Sequence, residues 1–301
     1  MHQNKTNGLD HKNKKHTICY KYKISNFINN NRELKMFKKI ALITALFAAC
    51  GMTNAYQAEL NIGYENTDID NAGDLDTLFI NGKYYLNGVQ SKGSPLAEAA
   101  FMDKASNIGL GYANASGDGD EDIDVIGISG EFFIPNTQFY VSGALNKVDF
   151  ANEDNTGYAI ELGYLPINGL LLAAGLANEN IDPVQVANYG FTTNFLNALT
   201  VGDDTAVSLR AKYVTQIGNH YTNFEGLTYI GDETTYRLAA DLYIDPTFSV
   251  GVSLADSTAD DSDTIFGIRT QKFFTPTIAA GLNYTTTDGA DSFGINGTFR
   301  F

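Results

Sequence analysis

Ser292-Phe-Gly-Ile-Asn-Gly-Thr-Phe-Arg-Phe301 alternates along its whole length and stops on an aromatic. Phe293, Ile295, Gly297, Phe299 and Phe301 fall on one face, and Gly294, Asn296, Thr298 and Arg300 fall on the other. A strand with this pattern is greasy on one side and polar, with a cation, on the other. A water-soluble sandwich has strands like it, with the aromatics turned into its core. Thirteen earlier segments of the same kind, behind a secretory leader pattern, favour instead an all-β fold, a transmembrane antiparallel up-and-down β-barrel of an outer membrane. In that reading Phe299 and Phe301 are the assembly signal for the barrel-assembly machinery.

The leader is read from Met36-Phe-Lys-Lys39, the apolar run Ile40 to Met52, and Thr53-Asn54-Ala55. A basic segment, a short apolar segment and small residues make residues 36–55 a signal peptide, cut between Ala55 and Tyr56. The run is too short for a membrane helix, which takes about 20 residues, and no later run matches it. A lipoprotein signal ending on Cys50 is the rival, and Phe47 stands where such a signal carries an aliphatic. Residues 1–35 are rich in Asn, Lys and His, have no hydrophobic period, and precede a complete leader. The expectation is that they are a misassigned upstream extension and that Met36 is the start. Cys19 and Cys50 both precede the cut. The segment 56–301 therefore has no disulfide, thiolate metal site or cysteine nucleophile.

Charge divides at the same point. The whole chain carries a net charge of −15, but residues 56–301 hold 10 Lys and Arg against 33 Asp and Glu, a net of −23. That balance excludes nucleic acid as a partner and a basic surface for anionic lipid.

Tight turn signals at Pro135-Asn-Thr137, Asn168-Gly169, Asp245-Pro-Thr247 and Thr275-Pro276 mark one end of a barrel, and longer acidic stretches mark the other. Counting back from Phe301 predicts strands near 292–301, 277–286, 264–274, 248–256, 235–244, 223–230, 205–217, 170–181, 157–166, 138–150, 123–134, 106–116, 76–87 and 56–67. Fourteen is even, so both termini lie on the periplasmic side of a Gram-negative outer membrane. The segment 223–230 is the weakest, because Gly226 and Thr228 would face lipid. Twelve or sixteen strands are the alternatives. One turn is long: Pro95-Leu-Ala-Glu-Ala-Ala-Phe-Met102 predicts a short periplasmic helix begun by Ser94 and Pro95. It is read as a cap on the rim, with a lid across the mouth as the sharper alternative.

Alternation also assigns the faces. Tyr236, Leu238, Ala240, Leu242 and Ile244 point to lipid, and Arg237, Ala239, Asp241 and Tyr243 point inward. Arginine on the lipid face near the midplane costs about 2–4 kcal/mol, which fixes the choice. The inward charges along all strands are Glu59, Glu65, Lys83, Glu131, Glu161, Arg210, Lys212, Arg237, Asp241, Arg269 and Arg300, the candidate pore-lining set. Either the C-terminal cations and N-terminal glutamates face each other as a transverse field, or they pair and stiffen the wall. Arg300 lies beside Glu59 across the closing seam.

Lys83-Tyr-Tyr-Leu-Asn87, Ser91-Lys-Gly-Ser-Pro-Leu-Ala-Glu-Ala-Ala-Phe-Met102 with Ala105-Ser-Asn107, Ala206 to Val214, and Asp241-Leu-Tyr with Phe248 to Ser257 carry a resemblance. The chain resembles the small outer-membrane porins of Acinetobacter and its relatives, the group linked to carbapenem entry. The likeness runs over most of 56–301 and is lost in the outer loops. It implies a fourteen-stranded barrel that passes small solutes, with inward-folded loops.

Other chemistries find little support. Asp118-Gly-Asp-Glu-Asp122 opens like a calcium loop, but Ile123 and Ser129 stand where an EF-hand requires Gly and Glu. Barrel hydrolases commonly use a histidine, and 56–301 has only His220, in a turn. No cofactor is expected. The connection Asp182 to Asp204 contains Phe191-Thr-Thr-Asn-Phe-Leu-Asn-Ala-Leu-Thr200, apolar enough to fold into the mouth as a constriction. The reading is a passive, narrow or loop-gated channel for small hydrophilic solutes and ions, set among outer-membrane lipid and lipopolysaccharide. The alternative is a largely closed barrel with a surface-binding or envelope-integrity role.

Overall fold

The computed structural model describes residues 55–70, 73–117, 122–150, 153–178, 205–259 and 262–301. The leader, the stretch 1–35, most of the Asp118–Asp122 loop and the expected constriction in 182–204 lie outside them.

Fourteen strands follow one another: β1 (Tyr56–Ile69), β2 (Gly73–Val89), β3 (Asn107–Gly117), β4 (Asp122–Phe133), β5 (Phe139–Phe150), β6 (Glu153–Ile167), β7 (Leu170–Asn178), β8 (Thr205–Ile217), β9 (His220–Ile230), β10 (Thr234–Asp245), β11 (Phe248–Ser257), β12 (Ile265–Thr275), β13 (Ile278–Thr287) and β14 (Ala290–Arg300). Each pairs antiparallel with its neighbours, and β1 closes on β14. Phe301 completes the seam: its N–H donates to Ala58 O, and its carbonyl accepts from the N–H groups of Gln57 and Ala58. Closure leaves no strand edge, so every ladder is satisfied within the chain.

The end where β1 starts and β14 finishes, here the terminal end, carries the tight turns. Asn136 and Gly169 take φ of 58° and 79° there. A Cβ on Gly169 would also strike the Val214 carbonyl. β9 is a full strand despite Gly226 and Thr228 on its outer face.

The strand period sorts the side chains as expected. On β10, Leu238 is 55% exposed on the outside while Tyr243 is 4% exposed on the inside. Outer tyrosines far from the terminal end bond to carboxylates on neighbouring strands: Tyr64 to Asp76, Tyr112 to Asp124 and Tyr284 to Asp291. Tyr84, Tyr164 and Phe274 are exposed near the terminal end.

The connection from β2 to β3 departs from the rim-cap expectation. It turns back into the barrel, where a 3₁₀ turn, Leu96–Glu98, leads into α1, Ala99–Met102. Ser94 does not cap this helix; its hydroxyl donates back to Ser91 O at 2.5 Å. Ala99 packs with Tyr56, Tyr85, Val89 and Ala105 on the near wall. Phe101 packs against the cluster of Tyr140, Leu165, Leu171 and Ala173 on strands β5 to β7. The Leu96 N–H donates to Pro246 O, and Arg300 donates to Leu96 O, both at 2.8 Å. Partners this far apart on the ring mean that the segment crosses the bore. Its ends meet at Asp103, which accepts from Gln90 N–H at 2.9 Å and pairs with Lys92.

Candidate functional site

The inner wall around this segment is made of ion pairs, some between directly opposed residues and others reaching across an intervening strand. Glu59 faces Arg300 across the seam, with Arg300 Nε 2.7 Å from its carboxylate. The Arg300 guanidinium also lies between the rings of Tyr56 and Phe273, 4.4 and 4.5 Å from their centroids. Arg269 grips Asp241 with two bonds of 2.8 and 2.7 Å, a bidentate fork. Lys83 lies 3.7 Å from Glu131, and Arg210 lies 2.9 Å from Glu161. The oppositely charged groups of the sequence reading therefore meet as pairs rather than facing each other as a transverse field.

Lys212 is shared. Its ammonium is 2.5 Å from Glu225 on β9 and 3.0 Å from Glu98 on the inserted segment. Tyr243 OH donates to the same Glu98 at 2.7 Å, and the Phe101 ring lies 5.1 Å from the ammonium. One cation thus ties the segment to the wall. Ion pairs this far out of water are costly to break by removing one partner, about 3–5 kcal/mol.

Against the segment lies a cavity of about 260 Å³, lined in part by Ala97, Glu98, Ala100 and Phe101. Eight residues expected to face inward line it together: Glu59, Lys83, Glu131, Arg210, Lys212, Asp241, Arg269 and Arg300. Arg237 borders a smaller cavity with Arg210, Glu225 and Arg269. Glu161 stands behind Arg210. Glu65 is buried farther along the wall and accepts from Asn283 at 2.8 Å. Phe299 and Phe301 sit at the seam, and Tyr56, which follows Ala55, stacks edge-on against Tyr85.

Three residues were missed in the sequence. Glu98 lay in a segment placed on the rim, and Glu225 and Asn223 lay in the weakest strand. The signal for Glu225 was present, since alternation from Asn223 turns both side chains inward. Asn223 donates to Glu225 and to Asp241, each at 3.1 Å, and its Oδ1 has no donor. Among the described residues no three His, Cys, Asp or Glu side chains are grouped to hold a metal. His220 Nδ1 lies 3.3 and 3.2 Å from the carbonyls of Tyr243 and Ile244.

Known proteins share this architecture. No curated protein sequence matches the chain. The Acinetobacter baumannii outer membrane protein Omp33 superposes with a TM-score of 0.64 at 28% identity, covering 83% of this chain and all of that one. The monoaromatic hydrocarbon channel CymD gives a TM-score of 0.50 at 10% identity, with 82% of this chain and 89% of that one covered, a likeness of fold alone. The model of the family described as "Putative general bacterial porin" matches residues 34–301. The fourteen-stranded barrel belongs to this family of bacterial porins.

Proposed function

We propose that this porin is a passive outer-membrane channel for small hydrophilic solutes and ions, held shut at rest by the segment between β2 and β3. The observation that carries the reading is that segment, crossing a lumen walled by paired charges and held by contacts that can be exchanged. Lining a bore with charged pairs leaves it wettable, whereas a solid stabilising core would be filled with apolar side chains. The inward set from Glu59 to Arg300 is then the pore wall.

The terminal end is periplasmic in this reading, because short turns are the periplasmic feature of such barrels and long acidic connections the outer one. The plug accordingly closes the inner mouth. Residues 36–55 serve as the export signal, cut after Ala55, and Phe299 with Phe301 as the signal to the assembly machinery. Outer-membrane lipid and lipopolysaccharide surround the apolar belt.

Current recording tests it. Protein extracted from outer membranes is placed in a planar bilayer, beside a variant in which residues 94–102 are replaced by a short Gly-Ser turn. Brief openings of the native protein and long ones of the variant are expected. A silent variant that remains folded and heat-modifiable would favour the closed, surface-binding role.

A further inference from the structure

The cavity against the plug has unmet demands of both signs. Asn107 Oδ1 and Asn223 Oδ1 are acceptors without donors, and Asn296 Nδ2 is a donor without an acceptor. The three side chains are 3%, 2% and 8% exposed, and all of them line the cavity. A lone cation or anion would answer only one kind of demand. The charges lining the cavity balance, with Glu59, Glu98, Glu131, Glu225 and Asp241 against Lys83, Arg210, Lys212, Arg269 and Arg300. Net charge therefore gives no preference, while separated charges on one molecule find partners of both signs.

Those partners are adjacent at one place. Asn223 Nδ2 donates to the carboxylates of both Glu225 and Asp241, and the Oδ1 of the same amide is left without a donor. Cross-strand from Glu225 is Lys212, the cation shared with Glu98. We infer that this cavity is a binding site for a small zwitterion of amino-acid size, and that its occupation loosens the plug. The ammonium group lies against Asn223, Glu225 and Asp241. The carboxylate takes the place of Glu98 on Lys212. No covalent step is involved: one carboxylate replaces another on the same ammonium, so the solute contributes the free energy for its own passage. Charge-assisted bonds are about twice as strong as neutral ones, which sets a zwitterion above a sugar of the same bulk. A ligand shifts the closed-to-open balance only by its preference for the open form, and displacement of Glu98 supplies that preference.

The inference rests on the channel reading, and the test separates the two. Open fraction is recorded for protein extracted from outer membranes, at constant ionic strength, with rising L-alanine. Ethylammonium chloride, sodium propionate and D-glucose serve as comparison solutes. L-Alanine should raise the open fraction roughly tenfold with saturation, and the others much less. Asn223→Ala should abolish the response to L-alanine. Lys212→Met should open the channel without solute and make it indifferent to L-alanine. Equal responses to L-alanine and glucose, or none to either, would overturn the site. If the variant with 94–102 replaced conducts in those same bilayers, the channel reading survives that loss; if it is silent, both fall.

Discussion

Glu98, on a segment of seven helical residues that lies inside a sheet barrel, is 3.0 Å from Lys212 on β8. Lys212 keeps a second partner, Glu225, at 2.5 Å. Loss of Glu98 therefore frees the plug without stranding the cation on the wall. The Glu98→Gln variant keeps the shape and removes the charge. A hydrogen bond to a charged group contributes about 1.5–3 kcal/mol, so the open fraction in a planar bilayer should rise at least roughly tenfold. An unchanged open fraction would show that the plug is held elsewhere.

Arg300 serves the seam and the plug together, through Glu59 and Leu96 O. Arg300→Ala leaves the half-buried Glu59 carboxylate without its nearest cation and should destabilise the barrel by about 3 kcal/mol. The heat-modifiable band on a gel should convert at a lower temperature. Arg300→Lys, with charge but no fork, should fall between the two.

Glycines inside and outside the barrel should behave differently. A Cβ on Gly251 would meet Asp241 Oδ1 and displace the Asp241–Arg269 fork, whereas one on Gly226 reaches only Leu238 Cδ2 at 3.4 Å. Gly251→Ala is expected to cost about 1–3 kcal/mol. Gly226→Ala should stay within about 0.5 kcal/mol of the parent. Urea unfolding in lipid vesicles compares them, and equal losses would contradict the assignment of the two faces.

On the lipid side, Leu238→Arg should lower stability by about 2–4 kcal/mol if its position is near the bilayer midplane. The same titration in vesicles measures it. A loss that disappears in thinner bilayers would place Leu238 at the interface.

The barrel was legible because two constraints act on every strand at once. Lipid on one side and a wet bore on the other impose the two-residue period, and closure imposes an even count. Thus 235–244 was readable to within a residue or two of β10. Even 223–230, with Gly226 outward, was held in place by the need for a partner on each side, and β9 starts three residues earlier. The ion pairs were only half legible. Alternation shows that Arg269 and Asp241 both point inward, but their meeting depends on the register across β11, where Gly251 leaves the space. The plug was legible as a helix, and its place across the bore only as the lid alternative to a rim cap. Leu96 to Met102 is a short segment of mixed character, and its place is decided by Tyr243, Lys212 and Leu171, more than sixty residues away in sequence.

The stopper is joined to the wall at both ends, by residues 90–95 from β2 and 103–106 to β3. A short tether gives its seat an effective local concentration on the order of millimolar, whatever the abundance of the protein. Under the proposed gating, reclosing is therefore a first-order event, as prompt in a sparse membrane as in a crowded one. A cell that varied the number of these barrels would change the number of doors without changing how long each stands open.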